Sequence, residues 1–442
     1  MLPDPRLALP TSLLALLAAF RPCFTAPTFA TFCALCVGFV AQPSRRTVCG
    51  MLVGARLSRV WSHHRAHRFF SHARWSVEAL SAVLARLVVA QLVPPDMAVP
   101  VVIDDTLFRR SGKQVHAAAW FHDGSASGQR QVGFGNNWVI AAIIVRLPFL
   151  DRPVALPVSF ALVRKGTGAA SRLVLARALV EALATALPGR ALHVVADCAY
   201  AGKSLRALPG AITWTTRLRS NAALYALAPP RTGKRGRPRR KGVKLGSLVD
   251  LAATATFTIT TTTVTRYGDT DTVATAVIDC LWYGVFGAQQ VQVVLVRDSA
   301  RTTGYDIALV STDLAAIPAE LVERYASRWS IEVAIEDAKQ TTGVGQARNR
   351  VPQAVERAVP FGLIASTLVI CWYASAGYHS DDVEGVRALS PWYRDKTQPS
   401  VADMVTKLRR VIIAVQFRRT DPEPATPAEI HTMRLAWAGI AA

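Results

Sequence analysis

The segment VPVVIDDT, residues 99–106, is a short apolar stretch that ends in two aspartates. Its branched apolar residues predict a buried β-strand. The segment NWVIAAIIVRLPF (137–149) predicts another buried strand, AASRLVLARALVEALATALP has the apolar periodicity of a helix, and LHVVADCAY (192–200) predicts a strand ending at Asp197. In sheets covered by helices, catalytic groups gather at the carboxyl ends of the strands. The acids at these strand ends are therefore candidate catalytic residues.

A third acid is available in YASRWSIEVAIEDAK (325–339), which predicts a single helix. At 100° per residue one face of this helix is polar, whereas apolar residues line much of the other side. The polar face contains Tyr325, Arg328, Glu332, Glu336 and Lys339. Ordinary ion pairs at i,i+4 on a solvated face have the same spacing. The helix alone therefore leaves both interpretations open.

The charge of the chain favours a polyanionic partner. Among 442 residues, 51 lysines and arginines outnumber 30 acids, which gives a formal net charge of +21 and a pI near 10.3. Nucleic acid is the commonest partner of so basic a protein. The length is sufficient for two or three domains with a substantial core.

The cysteines and the apolar N-terminus indicate a protein of a reducing compartment without a membrane segment. Seven cysteines are scattered along the chain and form no disulfide framework. The apolar stretches of the first 42 residues are interrupted by Arg21, Pro22 and Pro27 and diluted by threonines. We therefore expect buried helices of a soluble domain there rather than a membrane span.

The N-terminal region is strongly basic. Residues 1–90 contain ten arginines and two acids, and GARLSRVWSHHRAHRFFSHARW interleaves arginines with aromatic residues. Such a basic helical region is suited to contacts with DNA phosphates, for which Arg65 and Arg68 are candidates. A helical bundle with a charged exterior is the alternative.

The segment RTGKRGRPRRKGVK, residues 231–244, has eight basic residues and no acid, and it predicts a loop that does not bury a core. We call it the basic loop. Its residues Lys234, Arg235, Arg237 and Arg239 are candidate DNA contacts. The sequence Arg-Gly-Arg-Pro, residues 235–238, resembles the core of an AT-hook, which lies in the narrow minor groove of A·T-rich DNA. A generic phosphate-binding loop is the alternative.

The order of the acids and one spaced signature carry a family resemblance. RNase H-like polynucleotidyl transferases have their catalytic acids in a fixed order. One acid follows a first strand, a second follows a later strand, and a glutamate lies on a following helix. Tyr325, Arg328, Glu332 and Lys339 fit Y-x-x-R-x-x-x-E-x-x-x-x-x-x-K. With IDDT and ADCAYAG, this signature makes residues 98–375 resemble the DDE transposases of bacterial insertion sequences.

The resemblance implies a catalytic and metal-binding triad of Asp105, Asp197 and Glu332. Asp104 remains the alternative first acid, because strand ends shift by one residue and neighbouring side chains point to opposite faces. Glu336 does not match the signature. Two Mg²⁺ ions, for which Mn²⁺ can substitute, would activate the attacking oxygen and stabilise the leaving 3′ oxygen.

The resemblance also implies contacts with DNA near the cleaved end. Tyr325, Arg328 and Lys339 would hold phosphates, as their donor groups allow. Trp329 and Trp282 are candidates for stacking on a flipped base, although a core position is the expected one for Trp282.

The function implied is transposition. The protein would bind the ends of an insertion sequence as a homodimer, cleave a phosphodiester bond and join the 3′-OH to double-stranded target DNA. It would act in the bacterial cytoplasm at the nucleoid, without a membrane. A DNA-binding regulator descended from a transposase and a stand-alone metal-dependent nuclease are the alternatives.

The expected fold is an α/β RNase H-like core, a mixed sheet flanked by helices, interrupted by an all-β insertion. The sequence predicts five parts, which are a helical basic DNA-binding domain at 1–95, the first part of the core at 96–220, the basic loop and β-insertion at 221–315, the catalytic helix and end of the core at 316–378, and a helical tail at 379–442.

Overall fold

The computed structural model describes residues 7, 9–124, 131–230, 237–262, 271–390, 392–418 and 427–438. Several helices are capped by a serine or threonine that directly precedes them. The side chains of Thr47, Ser76 and Ser171 accept hydrogen bonds from the backbone N–H groups three residues later. The described α-helices are α1 Thr11–Ala18, α2 Ala26–Ala41, α3 Val48–Gly54, α4 His63–Ser71, α5 Val77–Leu92, α6 Arg172–Ala186, α7 Leu248–Thr254, α8 Tyr283–Phe286, α9 Pro318–Ser327, α10 Ser330–Gln340, α11 Pro352–Trp372, α12 Asp382–Leu389, α13 Val401–Arg418 and α14 Pro427–Ala438.

The strands form one large mixed sheet flanked by helices, which confirms the predicted α/β class. The described strands are β1 Val99–Arg109, β2 Ala119–His122, β3 Val132–Val145, β4 Val154–Leu162, β5 Leu192–Ala196, β6 Ile212–Arg217, β7 Thr258–Thr262, β8 Asp271–Cys280, β9 Val291–Asp298 and β10 Ile307–Ser311. Their order is β2-β3-β1-β5-β6-β10-β9-β8-β7, and β4 also pairs with β3.

The centre of the sheet places the acidic strand ends together. β1 is antiparallel to β3 and parallel to β5, and β5 is parallel to β6. In the register of β1 with β5, Val102 lies opposite Val195 and Ile103 lies opposite Ala196. These strands are rich in branched apolar residues and mostly buried, as expected for a sheet covered on both faces.

The segment expected to be an all-β insertion has a different organisation. It contains α7 and α8 as well as β7 to β10, and its strands extend the central sheet. The connection is β10, which pairs with β6 on one side and with β9 on the other. β10 therefore satisfies the backbone hydrogen-bonding groups along an edge of β6 that would otherwise be unpaired.

The N-terminal helices share a core with the rest of the chain. One cluster of buried side chains runs from Leu7 through the sheet to Ile412. The aromatic residues interleaved with arginines in the basic N-terminal region belong to this core, since Trp61, Phe69 and Trp75 are all buried. Their large apolar area makes burial favourable. These rings therefore stabilise the core.

Among the described residues, one helical segment, Pro352–Gly377, is long and apolar enough to cross a membrane by length and composition. Its most apolar window is 83% buried inside the protein. It contains α11, which packs against β4, α4 and α5.

Candidate active site

Asp104 and Asp105 point to opposite faces of β1. Thr106, which shares the face of Asp104, accepts a hydrogen bond from Lys339 of α10. Asp105 instead forms an ion pair with Arg172, the first residue of α6. Because side chains alternate along a strand, the two neighbouring aspartates face different helices.

Asp104 and Asp197 are adjacent across the sheet. Ile103 and Ala196 are the last registered pair of β1 and β5, and Asp104 and Asp197 are the next residues of the two strands. The backbone of Asp197 is still extended, with φ −70° and ψ 164°. Residues in register on parallel strands share a face, so both acids face the side on which α9 and α10 lie.

The signature residues lie around a tight turn between two helices. α9 ends at Ser327 and α10 begins at Ser330, so the single helix predicted for 325–339 is wrong. Across the junction the backbone bonds span three residues, as in Glu332 N–H to Trp329 C=O at 3.1 Å. This tightening, of 3₁₀ type, keeps the polar side chains on the side of the sheet acids.

Arg328 connects the helical acid to the first strand acid. Its Nη1 lies 2.8 Å from Glu332 Oε1 and 3.9 Å from Asp104 Oδ2. Burial disfavours the charged guanidinium, but Glu332, Tyr325 and Asp104 together raise the pKa of Arg328 above its ordinary value. Arg328 therefore stays positively charged.

The surroundings of Asp104 disfavour its charged form. Burial raises its pKa to about 6, against the opposing effects of a hydrogen bond from the Asp105 N–H and of the Arg328 charge. The carboxylates of Asp105 and Glu332 raise it further. Burial therefore makes the charged form of Asp104 unfavourable at this site.

Two other signature residues border the same site. Lys339 Nζ donates to Thr106 Oγ1 at 2.6 Å, and burial lowers the pKa of Lys339. Tyr325 is half-buried, and its ring lies 5.8 Å from the Arg328 guanidinium. Burial raises the pKa of Tyr325, and the nearby Asp197 carboxylate raises it further. Its hydroxyl therefore remains a proton donor at neutral pH.

Glu336 lies outside this cluster. It is exposed and accepts a hydrogen bond at 3.0 Å from Gln340. Lys339 is directed at β1. The geometry therefore distinguishes the two glutamates in the way that the signature does.

Asp105, the first acid predicted from the sequence, does not face Glu332. Its carboxylate accepts from Tyr200 Oη at 2.8 Å and Asn137 Nδ2 at 3.0 Å, and it pairs with Arg172 Nε at 3.2 Å. All three partners are donors from the other face of β1. Asp104, the alternative first acid, lies on the face that Arg328 and Glu332 approach, since a shift of one residue changes the face.

The donor set of this site fits a divalent cation. Asp104, Asp197 and Glu332 offer carboxylate oxygens, the donors that Mg²⁺ and Mn²⁺ prefer. Burial is the largest cause of the raised pKa of Asp104 and disfavours its charged carboxylate, a cost that a bound cation would offset. Among the residues that the structure describes, no three His, Cys, Asp or Glu side chains already surround one point closely enough to hold an ion.

The remaining candidate DNA contacts differ in exposure. Arg237 and Arg239 of the basic loop are exposed, while Lys234 and Arg235 lie outside the described residues. Arg68 is exposed on α4, whereas the Arg65 guanidinium lies 3.5 Å from the Trp61 ring and donates to Thr31.

The two candidate stacking tryptophans also differ. Trp329 directly precedes α10 and is 45% exposed, beside the Arg328 and Glu332 pair. Trp282 is buried in the core, as the alternative interpretation held.

Sequence reasoning missed the residues around Asp105. Tyr200 ends ADCAY only three residues after Asp197, and Asn137 opens the segment predicted as the second strand. Their types and positions were visible, but their contact with Asp105 depends on strand pairing over long sequence distances. Arg172 gave no signal apart from its position at the start of a predicted helix.

The fold and this site define an α/β protein whose acids converge on one face of a mixed sheet. Residues 19–272 match the family model described as DDE superfamily endonuclease. The match spans more than half of the chain, and the protein belongs to this family. It includes Asp104, Asp105 and Asp197 and ends before Glu332. Nucleases of this superfamily generally use divalent metal ions.

Among solved structures, the chain is similar to the piggyBac transposase in its synaptic complex with hairpin DNA. The similarity has 12% sequence identity and a TM-score of 0.39, and it covers 93% of this chain and 76% of that chain. At this level the likeness says nothing about the roles of individual residues. No curated protein matches the sequence.

Proposed function

We propose that this protein is a transposase that cleaves DNA at the ends of a mobile element and joins the freed 3′-OH to target DNA. The observation that carries the proposal is the position of Asp104 and Asp197 side by side on the face that Glu332 and Arg328 approach. Membership of the DDE endonuclease family supports it. The proposed core is RNase H-like, and the proposed relatives are transposases of bacterial insertion sequences.

In this proposal Asp104, Asp197 and Glu332 hold two Mg²⁺ ions, with Mn²⁺ as a substitute. Bound there, the ions would supply charge neutralisation at the attacking and leaving oxygens of a phosphodiester. Arg328 holds Glu332 and Asp104 in position until the ions and DNA enter, and then becomes available for a phosphate. This exchange is possible because Arg328 donates through several N–H groups in a fixed fork.

Tyr325 and Lys339 orient the DNA backbone. The Tyr325 hydroxyl stays protonated and donates to a phosphate oxygen, and Lys339 exchanges its bond to Thr106 for a phosphate contact. The burial that lowers the pKa of Lys339 also keeps water from competing for that contact. Trp329, exposed beside this site, stacks on an unpaired base.

The substrate of this proposal is double-stranded DNA, held by two copies of the protein in the bacterial cytoplasm. The net charge of +21 supports a DNA partner. Two ends must be cut in concert, so a homodimer on DNA is the smallest assembly proposed. The exposed arginines Arg237 and Arg239 of the basic loop are proposed to contact DNA outside the catalytic site.

The test is strand transfer with a labelled transposon end that is already cut. The purified protein, the end duplex and a target plasmid are incubated in Mg²⁺, with Glu332→Gln as the control. Joined product that the control does not form supports a transposase. Cutting of uncut ends without joining indicates a stand-alone nuclease, and binding alone indicates a DNA-binding regulator.

A further inference from the structure

Asp105 has an environment that a metal ligand would not need. Two hydrogen bonds and an ion pair occupy three of about four acceptor positions of its carboxylate. The donors belong to three separate parts of the fold, namely β3, the start of α6 and the turn after β5. The side chain is only 17% exposed. Asp105 is therefore a junction between these parts.

One of these donors belongs to the segment that carries Asp197. After β5 the chain forms a 3₁₀ turn, Cys198–Tyr200, in which the N–H of Cys198 donates to Asp197 Oδ1 at 2.6 Å. The N–H of Tyr200 donates to the Asp197 carbonyl at 2.9 Å. The Tyr200 side chain is buried, and its hydroxyl reaches Asp105. A rigid turn thus connects the Asp105 carboxylate with the backbone of Asp197.

Asp105 is also the chain neighbour of Asp104. Its own N–H donates to Asp104 Oδ1 at 2.8 Å. Fixing Asp105 on its face of β1 therefore fixes this N–H, and with it the orientation of the Asp104 carboxylate. Asp105 thus orients Asp104 through a backbone hydrogen bond and Asp197 through the side chain of Tyr200.

We propose that Asp105 is a positioning residue that holds Asp104 and Asp197 in the arrangement that binds divalent metal. This inference rests on the proposed function, in which those two acids are metal ligands. Arg172 and Asn137 complete the arrangement by anchoring the Asp105 carboxylate to α6 and β3. Residues that orient metal ligands in this way commonly affect metal affinity by about 10–100-fold when they are changed.

Two substitutions test this role by different routes. Asp105→Asn keeps the size of the side chain but loses the charge that attracts Arg172 and leaves one oxygen for three donors. Tyr200→Phe removes only the hydroxyl and keeps the ring in the core. Tyr373→Phe is the matched control, because the buried Tyr373 hydroxyl also donates to a carboxylate, Oδ2 of Asp382 at 2.6 Å.

The measurement is Mn²⁺ binding to the full-length protein, followed by electron paramagnetic resonance of the free ion. We expect Asp105→Asn and Tyr200→Phe to bind Mn²⁺ about 10-fold more weakly, while Tyr373→Phe binds like the wild type. Asp104→Asn should lose the site. Raising Mn²⁺ should restore DNA nicking by Asp105→Asn and Tyr200→Phe but not by Asp104→Asn. A thermal unfolding curve for each variant establishes that it is folded.

The outcomes separate the two proposals. Equal Mn²⁺ binding by wild type and Asp104→Asn would overturn the metal site of the proposed function. Loss of binding in Asp104→Asn with wild-type affinity in both Asp105→Asn and Tyr200→Phe would overturn only the positioning role. Loss of binding in Asp105→Asn that no concentration of Mn²⁺ restores would make Asp105 a ligand and also overturn it. If Asp105→Asn fails to fold, Tyr200→Phe decides alone.

Discussion

Lys339 Nζ donates a hydrogen bond to Thr106 Oγ1 at 2.6 Å, which ties α10 to β1 two residues after Asp104. The bond joins residues 233 positions apart in the chain. It lies on the face of β1 that carries Asp104, and Lys339 follows Glu332 on the same helix. The contact therefore fixes the distance between the helical acid and the sheet acids.

Removing the acceptor of this bond should destabilise the protein. Thr106→Val keeps the shape of the side chain but leaves the half-buried Lys339 cation without this hydrogen-bond acceptor. We expect the free energy of unfolding to fall by about 1.5–3 kcal/mol, the usual effect of losing a hydrogen bond to a charged group. Urea unfolding measures this, and the exposed Thr397→Val serves as the control. An equal change in both variants would contradict the contact.

The pKa of Asp104 predicts a pH-dependent stability. Its folded-state pKa of about 6 exceeds the ordinary value of 3.8, so the folded protein binds this proton more tightly than the unfolded chain. The associated stability is complete below pH 4 and is lost as the pH rises towards 6. Asp104→Asn has no carboxyl group to ionise and so avoids this loss of stability. At pH 7.5 without divalent ions the variant should be more stable than the wild type by about 1–3 kcal/mol.

Thermal unfolding at pH 3.5 and pH 7.5 in EDTA checks this prediction. The advantage of Asp104→Asn should be present at the higher pH and absent at the lower one. Mn²⁺ should stabilise the wild type and reduce the difference, since a ligand that binds only the folded state stabilises it. An advantage of the same size at both pH values would show that ionisation of Asp104 is not its cause.

The two glutamates of α10 should differ in their effect on cleavage. Glu332→Gln keeps the helix, because the two residue types have similar helix propensity. It should abolish Mg²⁺-dependent nicking of a labelled end and leave binding measured in Ca²⁺ nearly intact, because an amide is a weaker ligand of a hard cation. Glu336→Gln loses only a surface contact with Gln340 and should nick normally. The reverse pattern would mean that the signature is assigned one turn too early.

The sequence predicted the types of secondary structure but not how the elements pair and meet. The mixed sheet and the strand before Asp197 followed from periodicity. The spaced signature separated Glu332, which pairs with Arg328, from the exposed Glu336. The choice between Asp104 and Asp105 did not follow from either, because one residue of register reverses the face and apolar content is high on both sides of β1. That choice depends on the pairing with β5, which no local pattern reveals.

Two other differences have physical reasons of the same kind. The helix predicted for 325–339 has the correct periodicity, but Arg328 and Trp329 form a tightened turn between α9 and α10. The arginine and aromatic residues of α4 suggested a DNA surface. The rings of Phe69 and Phe70 instead pack against Phe361 of α11, a contact between parts far apart in sequence.

The basic loop should contribute to DNA affinity through phosphates. Replacing both Arg237 and Arg239 with glutamine should weaken binding and flatten its salt dependence, by about 0.9 in the slope of log K against log salt for each lost contact. Binding titrations between low and high salt measure the slope. Arg301→Gln, at an exposed arginine that pairs with Asp306, is the control. A slope unchanged in the loop variant would place Arg237 and Arg239 away from DNA.

The AT-hook interpretation adds a sequence preference to this prediction. Arginine is favoured in the narrow minor groove of A·T-rich DNA, so substitution of Arg235 and Arg237 should reduce affinity more for A·T-rich than for G·C-rich duplexes. Equal loss on both duplexes would leave the generic phosphate-binding loop.

A change of metal preference tests the central claim most directly, namely that Asp104 rather than Asp105 binds the catalytic metal. A thiolate ligand disfavours Mg²⁺ and accepts softer ions. Asp104→Cys should be inactive in Mg²⁺ and regain nicking of a labelled DNA end in Mn²⁺ or Cd²⁺, whereas Asp105→Cys should show no such switch. Restored nicking by Asp105→Cys in the softer ions, with Asp104→Cys active in Mg²⁺, would contradict the account.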